Sequence, residues 1–343
     1  MNSITLSAQY LNALDLIYKD GSLTSFLDSR PQNVQIVGKE MKIKKISTKG
    51  PADIARGGDF VTGDVVAAWE TVTPDYDRAR NFKVDALDEE EFGGLYVDVA
   101  ADYEIQHSIP EIDAYRFAKY YQTTGIQKVA TPTTPSDAAA LITAINAGQA
   151  ALDGKAPTQG RILFVEASQL RAVQLLDTTK SRETLADFAR IVPVPSDRFF
   201  TKLKFLTGGT GEEDGGYVRY ASDFDAWAAA TAYSLNDIIV VNNRVYKCTT
   251  AGTSAGTIPT FAATGTTADG AGALVWTYQH DAGRAINFLI VHPLAIVQAI
   301  KRASSDVDAP NSKSRNWSVS NWKYGYCTLY ENKANMCYVH YQA

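Results

Sequence analysis

Residues 285–302, AINFLIVHPLAIVQAIKR, limit the fold more than any other stretch of the chain. From residue 286 to 291 every side chain but Asn287 is apolar. That run is too continuous for a strand with one face in water, where polar and apolar residues would alternate, so it reads as a strand buried on both faces. His292-Pro293 then breaks the run. Pro293 suits a first helical position, where its missing N–H has no partner to lose. Because residues 294–300 resume at helical spacing, the pattern predicts a buried strand turning directly into a helix. Residues 161–176, RILFVEASQLRAVQLL, echo it: 162–165 as strand, Ser168 as cap, then Leu170, Val173 and Leu176 three apart. Two such units imply a central sheet flanked by helices.

The rest of the composition narrows function mainly by exclusion. A chain of 343 residues is long enough for two or three domains and a large buried core. Its formal charge of −5 offers no basic field, which argues against gripping nucleic acid through its phosphates but not against enclosing it. The first twenty residues carry no basic-then-apolar leader, and no window approaches the ~18 apolar residues of a membrane span, so residence in a cytoplasm is expected. Three cysteines, Cys248, Cys327 and Cys337, fit a reducing compartment. Among the four histidines, His292 in its strand-end turn is the sharpest catalytic candidate, yet no G-x-S-x-G elbow accompanies it. Cys337 and His340, three apart in a strand, point to opposite faces and do not make a zinc site. No catalytic, cofactor-binding or metal residue is therefore expected, and the chain reads as no enzyme.

In chain order, residues 1–30 read as an arm with a short amphipathic helix carrying Leu11, Leu14 and Tyr18. Residues 34–88 read as short strands broken at turn residues. Met41, Ile43 and Ile46 alternate with Lys42, Lys44 and Lys45, and 65–73 with 78–84 are expected to pair around TPDYD. A lone hairpin is marginal in water, so this ribbon needs another surface, most simply a second subunit. The acidic run 88–91 reads as solvated, 95–100 as a strand, and a helix should start at Pro110. A longer helix over 136–153, capped by Ser136 and ended by Gly154, would be a spine. Residues 201–206 read as a strand, and 207–216 as a loop whose glycines lack the Gly-Lys-Ser/Thr ending of a phosphate loop. From 224 to 279 the chain turns rich in Thr, Ala and Gly with interspersed Trp and Tyr, and helical signals vanish. Strand cues at 237–241, 244–249 and 274–278 mark a small β-domain inserted at a loop tip. Two aromatic strands around a turn at 331–335 close the chain.

Taken together, RNFKVDALDEEEFGG (80–94), IPEIDAYRFAKYY (109–121), the helix before RILFVEASQL, INFLIVHPLAIVQAIKR and GYCTLYENKANMCYVHY resemble, in that order, the major capsid proteins of tailed bacteriophages with the Hong Kong 97 fold. The resemblance covers nearly the whole chain outside 224–279. It implies an α+β fold with an N-arm (1–30) and an extended β-hairpin loop (31–94). A peripheral domain with the spine helix (95–154 and 311–343) and an axial domain with the central sheet (155–223 and 280–310) would follow, with 224–279 inserted and surface-exposed. The function it implies is self-assembly into pentamers and hexamers of an icosahedral head shell around double-stranded DNA, without sequence-specific binding. The setting would be the virion, assembled in a bacterial host cytoplasm. Partners would be the chain itself, a separate scaffolding protein if one is needed, a portal and decoration proteins. Lys42, Lys44, Trp69, Asp75 and Arg78 would lie where the extended loop meets a neighbour.

The segment 224–279 also resembles small aromatic modules of phage structural proteins and chitin-binding modules of glycoside hydrolases. Stacked aromatics can form a sugar platform, and Trp227, Tyr246 and Trp276 are the residues to test for glycan contact. A domain of this size equally needs them as its core, which is the favoured reading. A carbohydrate-binding adhesin or tail protein is the alternative function.

Overall fold

The computed structural model describes residues 17–28, 34–37, 40–53, 62–72, 74–93, 95–176, 178–210, 214–219, 224–270, 274–308, 310 and 315–342. The expected arm helix at Leu11 and Leu14 lies outside these residues, as does part of the 207–216 loop. Two compact units emerge, one of residues 1–20, 24–104 and 296–328, the other of 21–23, 105–295 and 329–343.

In the first unit, β1 (Val34–Val37), β2 (Glu40–Thr48) and β3 (Val65–Val72) form an antiparallel sheet in that order. The ribbon is therefore β2–β3, in register from Met41↔Val72 to Thr48↔Val65. It is not the expected 65–73/78–84 pair. β4 (Tyr76–Asp85) pairs instead with β19 (Asn316–Leu329), from Tyr76↔Gly325 to Asp85↔Asn316. That longer partner buries Tyr76 and Val84 and lets the Trp322 indole donate to Asp77 at 2.5 Å. β18 (Ile296–Asp308) lies on the other side of β19. The helix expected over 294–300 is thus corrected to one 3₁₀ turn, Pro293–Ala295, running into a strand. β-branched Ile296, Val297 and Ile300 suit a strand as well as a helix face, and the free edge of β19 decides between them. Gly325 opens the way, since a Cβ there would sit 2.5 Å from the Ala299 carbonyl oxygen.

The acidic run falls in α1 (Ala86–Phe92), which begins with the Leu87 N–H donating to Asp85 Oδ1 at 2.9 Å. Residues 95–100, expected as a strand, belong to α2 (Leu95–Tyr103), where Tyr103 meets the Phe82 ring edge-on at 5.0 Å. A π-helical turn, Glu104–Ser108, follows. Buried Glu104 accepts from buried Lys323 and from Asn321 Nδ2 at 3.2 Å. Gln298 Nε2, fully buried, donates to the Thr24 carbonyl at 2.8 Å and to Asp28 at 3.0 Å, which fastens residues 24–28 to the long-strand sheet.

The second unit opens with α3 (Ile109–Gln122), which starts as expected with Pro110 in its first turn. Its buried Asp113 accepts from Ser22 Oγ at 2.7 Å and Leu23 N–H at 3.0 Å. After β5 (Gln127–Lys128) comes α4 (Ala138–Leu152), the expected spine helix. Its cap is Asp137, whose carboxylate accepts from Ala140 N–H at 2.7 Å, rather than Ser136. The buried Arg161 side chain closes the far end, donating to the carbonyls of Gln149, Ala156 and Pro157 and pairing with Asp153 at 2.9 Å. A cation at these last carbonyls also meets the negative end of the helix dipole. β6 (Ile162–Glu166) and α5 (Ala167–Leu176) form as expected, though Ser168 lies inside α5 and donates to Glu166 rather than capping. α6 (Thr179–Ala186) carries a Thr178–Ser181 capping box and leads to β7 (Arg190–Val194). Short β8 (Leu203–Phe205) and β9 (Tyr217–Arg219) pair with each other.

The chain then makes seven strands: β10 (Asp225–Ala226), β11 (Ala232–Tyr233), β12 (Ile238–Val241), β13 (Arg244–Thr250), β14 (Gly252–Thr253), β15 (Thr266–Asp269) and β16 (Leu274–Asp281). They form a five-stranded sheet, β10-β12-β13-β16-β15, and a two-stranded one, β11-β14. β17 (Ile286–Val291) is buried at every position, as the apolar run requires. It lies in the sheet β5-β20-β17-β6-β7, antiparallel to β6 and to β20 (Tyr338–Tyr341).

α4 packs on this sheet through Leu141, Ile142, Ile145 and Leu152 against Leu163, Val165, Phe288 and Ile290. Gly148 sits at the closest approach, where a Cβ would lie 2.9 Å from the Tyr338 ring and 3.2 Å from Ile290. Both contacts are with side chains buried in the core, which leaves them little room to move away. Gly148→Leu is therefore expected to cost about 1–3 kcal/mol or more through overpacking, measured by urea denaturation; unchanged stability would mean that helix and sheet are farther apart.

Candidate assembly surface

The β2–β3 ribbon presents apolar side chains that its own unit leaves in water. Trp69 is 50% exposed, Ile46 52%, Val65 68% and Val66 60%. The register sets Lys44 opposite Trp69, Ile46 opposite Ala67 and Thr48 opposite Val65, so these six share one face. That face is an apolar stripe with a cation beside its indole. Lys49 and Asp64, paired at 2.7 Å, lie just beyond the far ends of the two strands. The five candidate residues of this region do not converge: Lys42, Lys44 and Trp69 lie on the ribbon, whereas Asp75 precedes β4 and Arg78 lies on β4 opposite Lys323. The sequence marks this ribbon as needing another surface but does not single out Val65, Val66 or Ile46, because which of its side chains stay exposed depends on strand register and on contacts remote in the chain.

The β module has a core of its own. β12 and β13 turn at Asn242 and Asn243, whose φ values of 49° and 58° are the left-handed pair of a tight hairpin. Trp276 and Tyr246, two of the glycan candidates, are buried at its centre beside Ile239, Val241, Phe261 and Leu274. They have no surface to offer a sugar. Trp227 is half-buried, and its indole N–H donates to Asp269 at 2.7 Å while the Trp276 indole donates to the same carboxylate oxygen at 3.0 Å. The other Asp269 oxygen accepts from Ala255 N–H at 2.9 Å. One buried carboxylate thus satisfies two indoles and a backbone amide. Asp269→Ala is expected to destabilise the module by about 3 kcal/mol or more, read from the loss of buried tryptophan emission on heating, because it strands buried donors. Asp269→Asn keeps an acceptor and should cost less.

The histidines and cysteines hold no catalytic arrangement among the described residues. His292 is buried, with Leu294 N–H 3.3 Å from Nδ1 and the Gln159 carbonyl 3.2 Å from Nε2. Nδ1 accepting and Nε2–H donating makes it a turn-fixing residue. All three cysteines are buried and none is in a disulfide, and burial pushes the Cys337 thiol up to about 12. His340 is buried, stacks on Phe288 at 5.0 Å and lies 2.9 Å from Asn287 Nδ2. Burial lowers its pKa from the ordinary 6.5, so as pH falls the unfolded chain takes up this proton before the folded one does. The stability contributed by the neutral ring is present above pH 6.5 and is lost as pH drops from there through the folded value. Urea titrations from neutral pH to about 5 should show a steeper loss for the wild type than for His340→Gln; parallel curves would remove His340 from the account.

No family model matches the chain, and no curated protein matches it in sequence. Solved structures do resemble it. The capsid structure of Staphylococcus phage Andhra matches 94% of this chain and 84% of its own, at 11% identity and a TM-score of 0.50. The chain has a phage-capsid fold. The mature capsid of bacteriophage PhiM1 is similar over 89% of this chain and 82% of its own, at 13% identity and a TM-score of 0.49. A virus-like particle from Pyrococcus furiosus covers 98% and 99%, at 12% identity and a TM-score of 0.48. The capsid fold accounts for a mixed α+β chain with a spine helix laid over a five-stranded sheet and a separate unit of long strands.

Proposed function

We propose that the chain is a major capsid protein that self-assembles into a head shell of pentamers and hexamers around double-stranded DNA. The observation that carries this reading is the β2–β3 ribbon: a capsid-fold chain keeps Trp69, Ile46, Val65 and Val66 in water where a soluble monomer would cover them. Full burial of each such side chain stabilises an interface by about 1.5–3 kcal/mol, so a neighbour laid on the face shared by Trp69, Ile46 and Val65 gains an appreciable contact. Repeated around a ring and between rings, modest contacts of this kind close a shell.

In this reading residues 1–30 are the arm and 31–94 the extended loop. Residues 95–154 and 311–343 form the peripheral domain, 155–223 and 280–310 the axial domain, and 224–279 a module inserted at the outer surface. The core packing of Trp276 and Tyr246 favours a stabilising or projecting role for that module over a sugar platform. Scaffolding and portal proteins would be separate chains, and the net charge of −5 fits DNA enclosed rather than gripped.

The purified chain should scatter light as rings of five or six subunits or as closed particles visible by electron microscopy. Trp69→Ser combined with Ile46→Ser, both exposed, should leave the monomer's melting within about 1 kcal/mol of wild type while abolishing particles. Particles of normal yield from the double variant would remove the ribbon from assembly.

A further inference from the structure

A cavity of about 490 Å³ within the second unit lies at the root of the β module and belongs to none of the assembly surfaces. The C-terminal end of α3 contributes Tyr121 and Gln122, and the β12–β13 turn contributes Asn242 and Asn243. Its charged lining consists of Lys202, Arg244, Arg284 and Asp281, three cations against one carboxylate in a chain whose net charge is −5. Asp281 is already engaged by Arg244 at 3.6 Å. Among the described residues no carboxylate lies within ion-pair distance of the Lys202 amine or the Arg284 guanidinium. Arg284 instead lies over the Tyr341 ring, 5.7 Å from its centre.

The backbone behind these cations is stitched in place. Thr201 N–H donates to the Arg284 carbonyl at 2.9 Å, and Arg284 N–H donates to Thr201 Oγ1 at 2.8 Å. Ala282 N–H donates to the Asn243 carbonyl at 2.8 Å, and Gly283 has no Cβ because one would collide with the Lys202 carbonyl. Partial burial lowers the Lys202 pKa, with Asp281 opposing. Burial, helped by a hydrogen bond with Tyr341, pushes the Tyr121 hydroxyl up to about 12, which leaves it a neutral donor rather than a competing anion. Converging cations repel, and a rigid frame that holds them together is complementary to an oxyanion, above all where a guanidinium supplies a planar fork. The volume is that of a small-molecule site.

We propose that this cavity binds a phosphate- or carboxylate-bearing small ligand, held by Lys202, Arg244 and Arg284. An anion there would tie the module's root to α3 and to the strand leading into β17, so occupancy would stiffen the junction on which the module stands.

The test is calorimetric titration of the full chain with inorganic phosphate and with citrate, each against chloride at matched ionic strength, alongside thermal melts. Saturable binding of at least one anion with a rise in melting temperature is expected. Lys202→Gln and Arg284→Gln should each weaken it at least tenfold, and Lys180→Gln, on α6 away from the cavity, should leave it unchanged. Saturation by phosphate alone supports a phosphate ligand, and saturation by both supports the shared oxyanion chemistry. No saturable binding by the folded wild type overturns the proposal, as does equal binding by the two cavity variants. Should Arg284→Gln fail to fold, Arg284→Lys keeps the charge without the fork and should bind more weakly; undiminished binding by both it and Lys202→Gln would again overturn the site.

Discussion

Burying β17 on both faces obliges every polar group in it to find a partner inside the protein, because a backbone or side-chain group left unpaired there costs a substantial part of the total stability. Pairing with β6 on one side and β20 on the other meets the backbone demand. Asn287, the one polar side chain of the strand, meets the rest. Its amide donates to the Thr133 carbonyl at 3.0 Å and to His340 Nδ1 at 2.9 Å, and its carbonyl accepts from Gln169 at 3.0 Å and Gln342 at 3.3 Å. One buried amide therefore joins the connection before α4, the first turn of α5 and the C-terminal strand. With Asn287 donating to Nδ1, the His340 ring carries its proton on Nε2, and burial disfavours its charged form.

Around this sheet, self-sufficient and dependent parts of the chain are easily told apart. The β module owns a closed core, with Trp276 at its centre and Asp269 satisfying its indoles. α4 owns its cap at one end and Arg161 at the other. The first unit buries an ion pair between Glu104 of the π-helical turn and Lys323 of β19, which is worth little net stability but penalises any arrangement that separates it. The β2–β3 ribbon is the exception, since it leaves Trp69, Ile46, Val65 and Val66 exposed.

Residues with strong local periodicity were legible. The continuous run of β17, the strand and helix of β6 and α5, Pro110 at the start of α3 and the Asn242-Asn243 turn all follow from neighbours within a few positions. The order of these elements also sufficed to point to the capsid fold. Segments whose spacing fits two periods were not legible. Residues 294–300 satisfy both helical and strand patterns, and 95–100, with Val97 and Val99 two apart, look like a strand yet wind into α2.

Which strand β4 joins was settled by β19, more than two hundred residues away, because a long partner with matching aromatic and polar groups outbids an adjacent ribbon. The exposure of Trp69, the interior place of Tyr246 and the gathering of Lys202, Arg244 and Arg284 around one cavity have the same origin. At β17, β6–α5 and α3 the sequence by itself determined burial and local element, since hydrophobic period and turn chemistry act between near neighbours. The tertiary structure alone decided strand partners, which aromatic rings stay in water and which charges converge, because those depend on contacts between residues far apart in the chain.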